Sequence, residues 1–164
     1  IIHYKSTQMN RQQLDHIDIQ ILKKLAVDGR KPYLEIAREL GVSGAAIHQR
    51  LQRLSSKGVV KGTECLISPA SLGYDTCAYI GILLTDPTKF EKVIRQLEKI
   101  PEVVECHFTT GHYDMFTKVV ARNNDHLLQI IQEHFQKLDA TRTETIISFK
   151  EVFKRQIPIR DENE

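Results

Sequence analysis

Residues 36–54 read IARELGVSGAAIHQRLQRL. Two runs with helical apolar spacing meet at Gly41-Val42-Ser43, and the second run opens with Gly44-Ala45-Ala46 before turning polar and basic. Ser43 is a strong N-cap type, and the spacing predicts a helix from there to about Lys57, closed by Gly58. On that helix Ile47, Leu51 and Leu54 share one side. At 100° per residue the opposite side carries Ala45, Gln49, Gln52, Arg53 and Ser56, with Arg50 and Lys57 on the flank. A helix entering a DNA major groove needs small residues where its N-terminus approaches the bases, then amides and arginines for base edges and cations for phosphates. Ala37, Gly41 and Ile47 fall where a helix-turn-helix needs a small residue, a turn glycine and a packing residue. The plainer alternative is an amphipathic helix whose polar face is merely solvated. Charge and pattern together favour DNA.

Upstream, Leu14, Ile17, Ile21 and Leu25 form one apolar stripe over residues 14–28, with Asp15 and Asp18 early and Lys23 and Lys24 late, as the helix dipole prefers. Gly29 stops this helix, and a second starts at Pro32 with Tyr33, Ile36, Ala37 and Leu40 facing inward.

Charge is divided along the chain. Residues 1–60 hold 10 Lys+Arg against 5 Asp+Glu, while the remainder is mildly acidic, for a total of +2 over 164 residues. A basic first third and an acidic rest suggest two modules, the first facing an anion. No apolar run approaches the roughly 18 residues that span a bilayer, so no membrane partner is expected. The start, IIHYKSTQMNRQQ, lacks the apolar core of a secretory signal, and residues 1–9 are set aside from the fold. Cys65, Cys77 and Cys106 are odd in number with no C-x-x-C, which fits reduced thiols in the cytoplasm.

The second module reads as alternating elements. Residues 59–75 suggest a strand and then a linker punctuated by Ser68-Pro69 and Gly73; 75–84 is a β-rich run and 87–100 a helix. Then come a strand at 102–110, a tight turn at 111–114, a strand at 115–121, a helix at 123–138 and a final strand at 141–153. The order β-α-β-β-α-β is the ferredoxin-like arrangement, with helices on one face of a four-stranded antiparallel sheet. Tyr79, Gly81 and Leu83 point one way and Ala78, Ile80, Ile82 and Leu84 the other. Two apolar faces argue for sheet-to-sheet dimerisation. The expected fold is therefore α+β: a winged-type helix-turn-helix domain at 10–60, a hinge strand and linker at 61–74, and a ferredoxin-like sensing and oligomerisation domain at 75–155.

LDHIDIQILKKLAVDGR, IARELGVSGAAIHQRLQRLSSKGVV, the TTGHYDMFTKV hairpin and TRTET at the start of the last strand occur in this order. Together they resemble the leucine-responsive regulator/asparagine-regulator (Lrp/AsnC) family of transcription factors, over nearly all of the chain after residue 13. The resemblance implies a cytoplasmic, sequence-specific regulator of double-stranded DNA. It implies homodimers that assemble further, commonly to octamers, and a small effector, usually an amino acid, bound between dimers near the glycine–aspartate hairpin. Carried onto this chain, the DNA-reading positions are Ser43, Gly44, Ala45, His48, Gln49 and Arg53, with Arg50 on phosphates. The effector positions are Gly111, Tyr113 and Asp114, followed by Thr141, Thr143 and Thr145. The family often has an acidic residue after the hairpin glycine, where this chain has His112.

Chemistry supports that hairpin in part. Gly111 permits a tight turn with free N–H groups for a carboxylate, and Asp114 suits an α-ammonium. The alternative is an ordinary turn whose aspartate caps its own backbone. Cys106, His107 and His112 lie near this hairpin, but strand neighbours point to opposite faces, so no metal and no cofactor beyond the effector are expected. The chain shows no Gly-rich phosphate loop and no nucleophile elbow, and it reads as a non-enzyme. A catalytic branch with the same two-part architecture, the siroheme decarboxylases, is the alternative. The basic outward face at 45–57 argues against it.

Overall fold

The computed structural model describes residues 14–160. Residues 1–9, set aside above, and the first residues of the expected 10–60 domain lie outside the described ones. The chain divides into two units, one reaching Cys65 and including the chain from Arg155, the other Leu66–Lys154.

The first unit holds three helices. In α1, His16–Val27, the Asp15 carboxylate accepts a 2.9 Å hydrogen bond from the Asp18 amide, and Asp18 returns one of 3.3 Å from the Asp15 amide. This reciprocal box satisfies two otherwise orphaned donors of the first turn. Helix α2, Tyr33–Leu40, follows Pro32 and ends at Gly41, whose left-handed φ of 66° turns its N–H back onto the carbonyls of Ala37 and Arg38. Helix α3, Gly44–Ser56, is capped as expected, the Ser43 hydroxyl accepting 3.1 Å from the Ala46 amide. Ile21, Ile36, Ala37, Ile47, Leu51 and Leu54 form the buried core. Burying each of the larger side chains contributes roughly 1.5–3 kcal/mol.

The first unit departs from the expected arrangement at Tyr33 and after α3. Tyr33 was expected inward but is 47% exposed, because the first residue of this short helix overhangs a core built from Ile36 and Ala37. Neither the wing nor the hinge strand expected within 59–75 is formed among the described residues. Gly58 turns the chain at φ 70°, and the amides of Val59 and Val60 both donate to the Leu54 carbonyl, closing α3. Val59 and Val60 then pack on the helical core, and residues 61–67 run exposed outside any strand.

In the second unit β1, Thr76–Leu84, is central. It pairs antiparallel with β3, Met115–Ala121, and with β4, Ala140–Ser148; β2, Val103–Phe108, pairs with β3 to give the order β2-β3-β1-β4. Helices α4, Phe90–Leu97, and α5, Asn124–Glu133, supply the side chains that bury Ala78, Ile80, Ile82, Leu84, Met115 and Val119. This is the expected β-α-β-β-α-β order. Both helices are shorter than the apolar spacing predicts. Asp86 caps a 3₁₀ turn over Pro87–Lys89 before α4, and a second such turn, Phe135–Lys137, follows α5. The last strand stops at Ser148 rather than 153, because its β1 partner ends there, at Cys77↔Ser148. On the face away from the helices Tyr79 stacks on Phe116 at 5.7 Å and Ile146 is 47% exposed, so that face is open and carries apolar side chains beside the charged Lys118, Arg142 and Glu144.

Candidate nucleic-acid interface and sensing hairpin

The outward side of α3 is as the sequence predicts at its start. Ser43, Ala45, His48, Gln49 and Gln52 are exposed, and Gly44 is partly covered. Gly44 also has a packing reason for its size: a Cβ there would lie 2.8 Å from a methyl of Leu34 on α2.

The two arginines are placed differently. Asp18 is fully buried, and the Arg50 guanidinium reaches it at 2.9 Å while also gripping Asp15; Arg53 grips the other oxygen of Asp18. Both guanidiniums, expected on phosphates and base edges, hold α3 to α1 in this structure, since a buried carboxylate needs opposite charge and directed donors. The Asp15 and Asp18 hydrogen bonds raise the Arg50 pKa. Burial pushes the Asp15 carboxyl up, but the Arg50 hydrogen bond and the Asp18 amide outweigh it and leave the carboxyl below its ordinary value. A clue was available in the sequence: carboxylates at 15 and 18 and guanidiniums at 50 and 53 share one i,i+3 spacing on two helices.

Other cations of this unit are also paired. Glu39 binds Lys24 and Lys31, and Lys31 reaches Glu35 at 3.2 Å. The hydrogen bonds from Lys24 and Lys31 lower the Glu39 carboxyl to about 2. Arg38 and Lys57 are exposed and enter none of these pairs. Arg38 lies one turn beyond Leu34, on the side of α2 that meets the start of α3.

The hairpin between β2 and β3 is tied on all sides. Gly111 takes φ +114°, a conformation side-chain-bearing residues rarely adopt. The Thr109 hydroxyl donates to the Tyr113 carbonyl at 2.6 Å, and the Thr109 amide donates to the Asp114 carbonyl at 2.9 Å. The Asp114 amide donates to the Ile82 carbonyl at 3.0 Å, and its carboxylate accepts 2.8 Å from the Leu84 amide, at the bulge of β1. Thr141 donates to the carbonyl of the same Leu84 at 3.4 Å. Asp114 therefore caps a neighbouring strand rather than its own turn, and Asp114 and Thr141 meet at one residue, Leu84.

The remaining effector positions divide between faces. Tyr113 lies over Gly81 and 6.0 Å from the Phe116 ring on the open face, with His112 edge-on at 4.7 Å. A hydrogen bond to Glu144 holds its phenol above the ordinary 10. Thr143 and Thr145 pair with Ile82 and Ile80, and so sit on the helix-covered side, away from Tyr113. Glu144, opposite Gly81, was not singled out from the sequence. Its signal was the alternation in TRTET, which puts Arg142 and Glu144 on one face and the threonines on the other. Cys106 and His107 pair with Thr117 and Phe116, on opposite faces as expected. Among the described residues no group of His, Cys, Asp and Glu is arranged to hold a metal ion.

Residues 14–55 match the AsnC-type helix-turn-helix domain and 77–158 the Lrp/AsnC ligand binding domain. The chain belongs to the Lrp/AsnC family. It is 40% identical over 145 residues to the regulatory protein AsnC of Haemophilus influenzae, covering 88% of this chain and 97% of that one. Its fold is similar to the solved structure of Escherichia coli AsnC, with a TM-score of 0.82, 35% identity, and 87% and 97% of the two chains covered. It is also similar to the feast or famine regulatory protein of M. tuberculosis complexed with L-methionine, with a TM-score of 0.83, 29% identity, and 90% and 99% covered. As a member of this Lrp/AsnC family the chain is an effector-responsive DNA-binding transcriptional regulator of α+β fold. None of the described helices is long and apolar enough to cross a membrane.

Proposed function

We propose that this chain is a cytoplasmic regulator that reads DNA with the start of α3 and alters that reading when an amino acid binds its second unit. The observation that carries the proposal is the exposed first half of α3, where Ser43, Gly44, Ala45, His48 and Gln49 present small and amide side chains beside a capped helix end. Arg38, on the side of α2 that meets the start of α3, and Lys57, at the far end of α3, are the phosphate contacts. Base edges are reached by Gln49 and His48.

The effector site lies at the hairpin. Gly111 offers backbone N–H groups for the carboxylate of an amino acid. Glu144, beside Tyr113, takes the α-ammonium, because Asp114 is already engaged by Leu84. Thr141 borders this site through the Leu84 carbonyl, whereas Thr143 and Thr145 lie on the other face of β4 and stand apart from it. The relative bound to L-methionine supports an amino acid as the effector class. The open face of the sheet, with Tyr79, Phe116 and Ile146, is the dimer surface, and pairs of dimers assemble further around it. The effector acts by binding two assembly states unequally, the only way a ligand shifts such an equilibrium.

Titration calorimetry of the full chain against the twenty amino acids individually tests the sensing half of this reading. Saturable binding of one or a few, lost on Glu144→Gln, is the expected result. Binding of none contradicts it. The regulators among the relatives favour this account over tetrapyrrole decarboxylation.

A further inference from the structure

We infer that Asp18 is a positioning residue for DNA recognition: gripped by Arg50 and Arg53, it fixes the rotation at which α3 presents Ala45, His48 and Gln49, and it commits both guanidiniums to α1 rather than to DNA. The inference rests on the DNA-binding reading and refines which residues perform it.

Asp18 is fully buried and accepts three donors: the Asp15 amide at 3.3 Å, Arg50 at 2.9 Å, and Arg53. A buried carboxylate is tolerated only when paired and hydrogen-bonded. Both partners come from the one helix that carries the reading face. The buried stripe of Ile47, Leu51 and Leu54 turns the opposite face of α3 outward, but non-directional burial leaves some latitude in the rotation. Charge-assisted bonds from two guanidiniums on successive turns are directional. The core sets which face of α3 is turned out, and the bonds to Asp18 narrow the rotation that remains. Two carboxylates, Asp15 and Asp18, face two guanidiniums, so the cluster is neutral and offers little attraction to phosphate. Ion pairs to a buried carboxylate are seldom worth much as stability; their best-attested use is to fix one arrangement among several.

The test uses the full chain and a duplex enriched by it from a random-sequence library. Failure to enrich any duplex overturns the DNA reading and this inference with it; every later outcome bears on the inference alone. Affinity is measured for the wild type, Arg53→Met, Asp18→Asn and the double variant, below the melting transition of each and on every single-base variant of the duplex. The expected result is that Arg53→Met weakens binding by about tenfold, uniformly and with the base preferences kept, yet costs less than about twofold in the Asp18→Asn background. Arg50→Met should leave the dependence of affinity on salt unchanged. Relaxed preference at one base pair, or an equal cost in both backgrounds, would make Arg53 a base reader and overturn the inference. A salt slope smaller by about 1 would put Arg50 on a phosphate and do the same. A lowered melting temperature with unaltered affinity would reduce the cluster to scaffold. Should Arg53→Met fail to fold, Arg53→Lys keeps the charge without the planar fork and is judged by the same outcomes.

Discussion

A Cβ placed on Gly81 would lie 2.6 Å from the ring of Tyr113, well inside any tolerable contact. Gly81 is buried at the centre of β1, opposite Glu144 on β4, so the missing side chain makes room for the ring that reaches Glu144. Gly81→Ala should push Tyr113 off this seat. The expected outcome is a stability loss of about 1–3 kcal/mol from overpacking and effector binding weaker by about tenfold, with DNA affinity in the absence of effector unchanged. Calorimetry and thermal melting check the pair, and unchanged effector binding would remove Tyr113 from the site.

Asp114 is a structural residue first. Its carboxylate satisfies the amide of Leu84, which is only 6% exposed. Asp114→Ala leaves that donor unpaired and should cost about 1–3 kcal/mol. Asp114→Asn keeps an acceptor in place and should stay within about 1 kcal/mol of the wild type. If Asn nevertheless abolishes effector binding at full stability, the charge itself contacts the ligand, and Glu144 is not the ammonium partner.

Acid should weaken the first unit through Glu39. Its carboxyl lies at about 2 in the folded chain against an ordinary 4.5, because Lys24 and Lys31 donate to it. A depressed carboxylate stabilises fully above its ordinary value and loses that effect as pH falls toward the folded one. The stability gap between wild type and Glu39→Gln should therefore be constant above about pH 4.5 and close between there and about pH 2. A gap that persists at pH 2 would contradict the pairing.

Phosphate contact is proposed for Arg38 and Lys57, two exposed cations outside the ion pairs of α1, α2 and α3. Arg38→Gln and Lys57→Gln should each lower the slope of log affinity against log salt by about 1, leaving base preference intact. An unchanged slope for either removes that residue from the interface.

Periodicity and capping made most of the fold legible. Ser43, Gly41 and the stripe of Ile47, Leu51 and Leu54 define α3 by local rules, and alternation defines β1 and β3. The missing strand after α3 follows from a non-local fact, the packing of Val59 and Val60 on the helices rather than on a strand. The same limit governs the site. His48 and Gln49 face outward because a helical face is a local property. The capture of Arg50 and Arg53 by Asp15 and Asp18 joins residues more than thirty positions apart. The grouping of Tyr113 with Gly81 and Glu144, and the separation of Thr143 and Thr145 from it, required the register of β1 against β4. Neither the ion cluster nor this register can be read from one helix or strand taken alone.

The measurement that tests the whole account most directly is fluorescence anisotropy of the full chain on a duplex enriched from a random library, against a scrambled duplex, with and without the amino acid found by calorimetry. Tight, salt-steep binding that prefers the enriched duplex and shifts when the amino acid is added is the predicted result. Equal binding to both duplexes, or an affinity indifferent to a saturating amino acid, would contradict it.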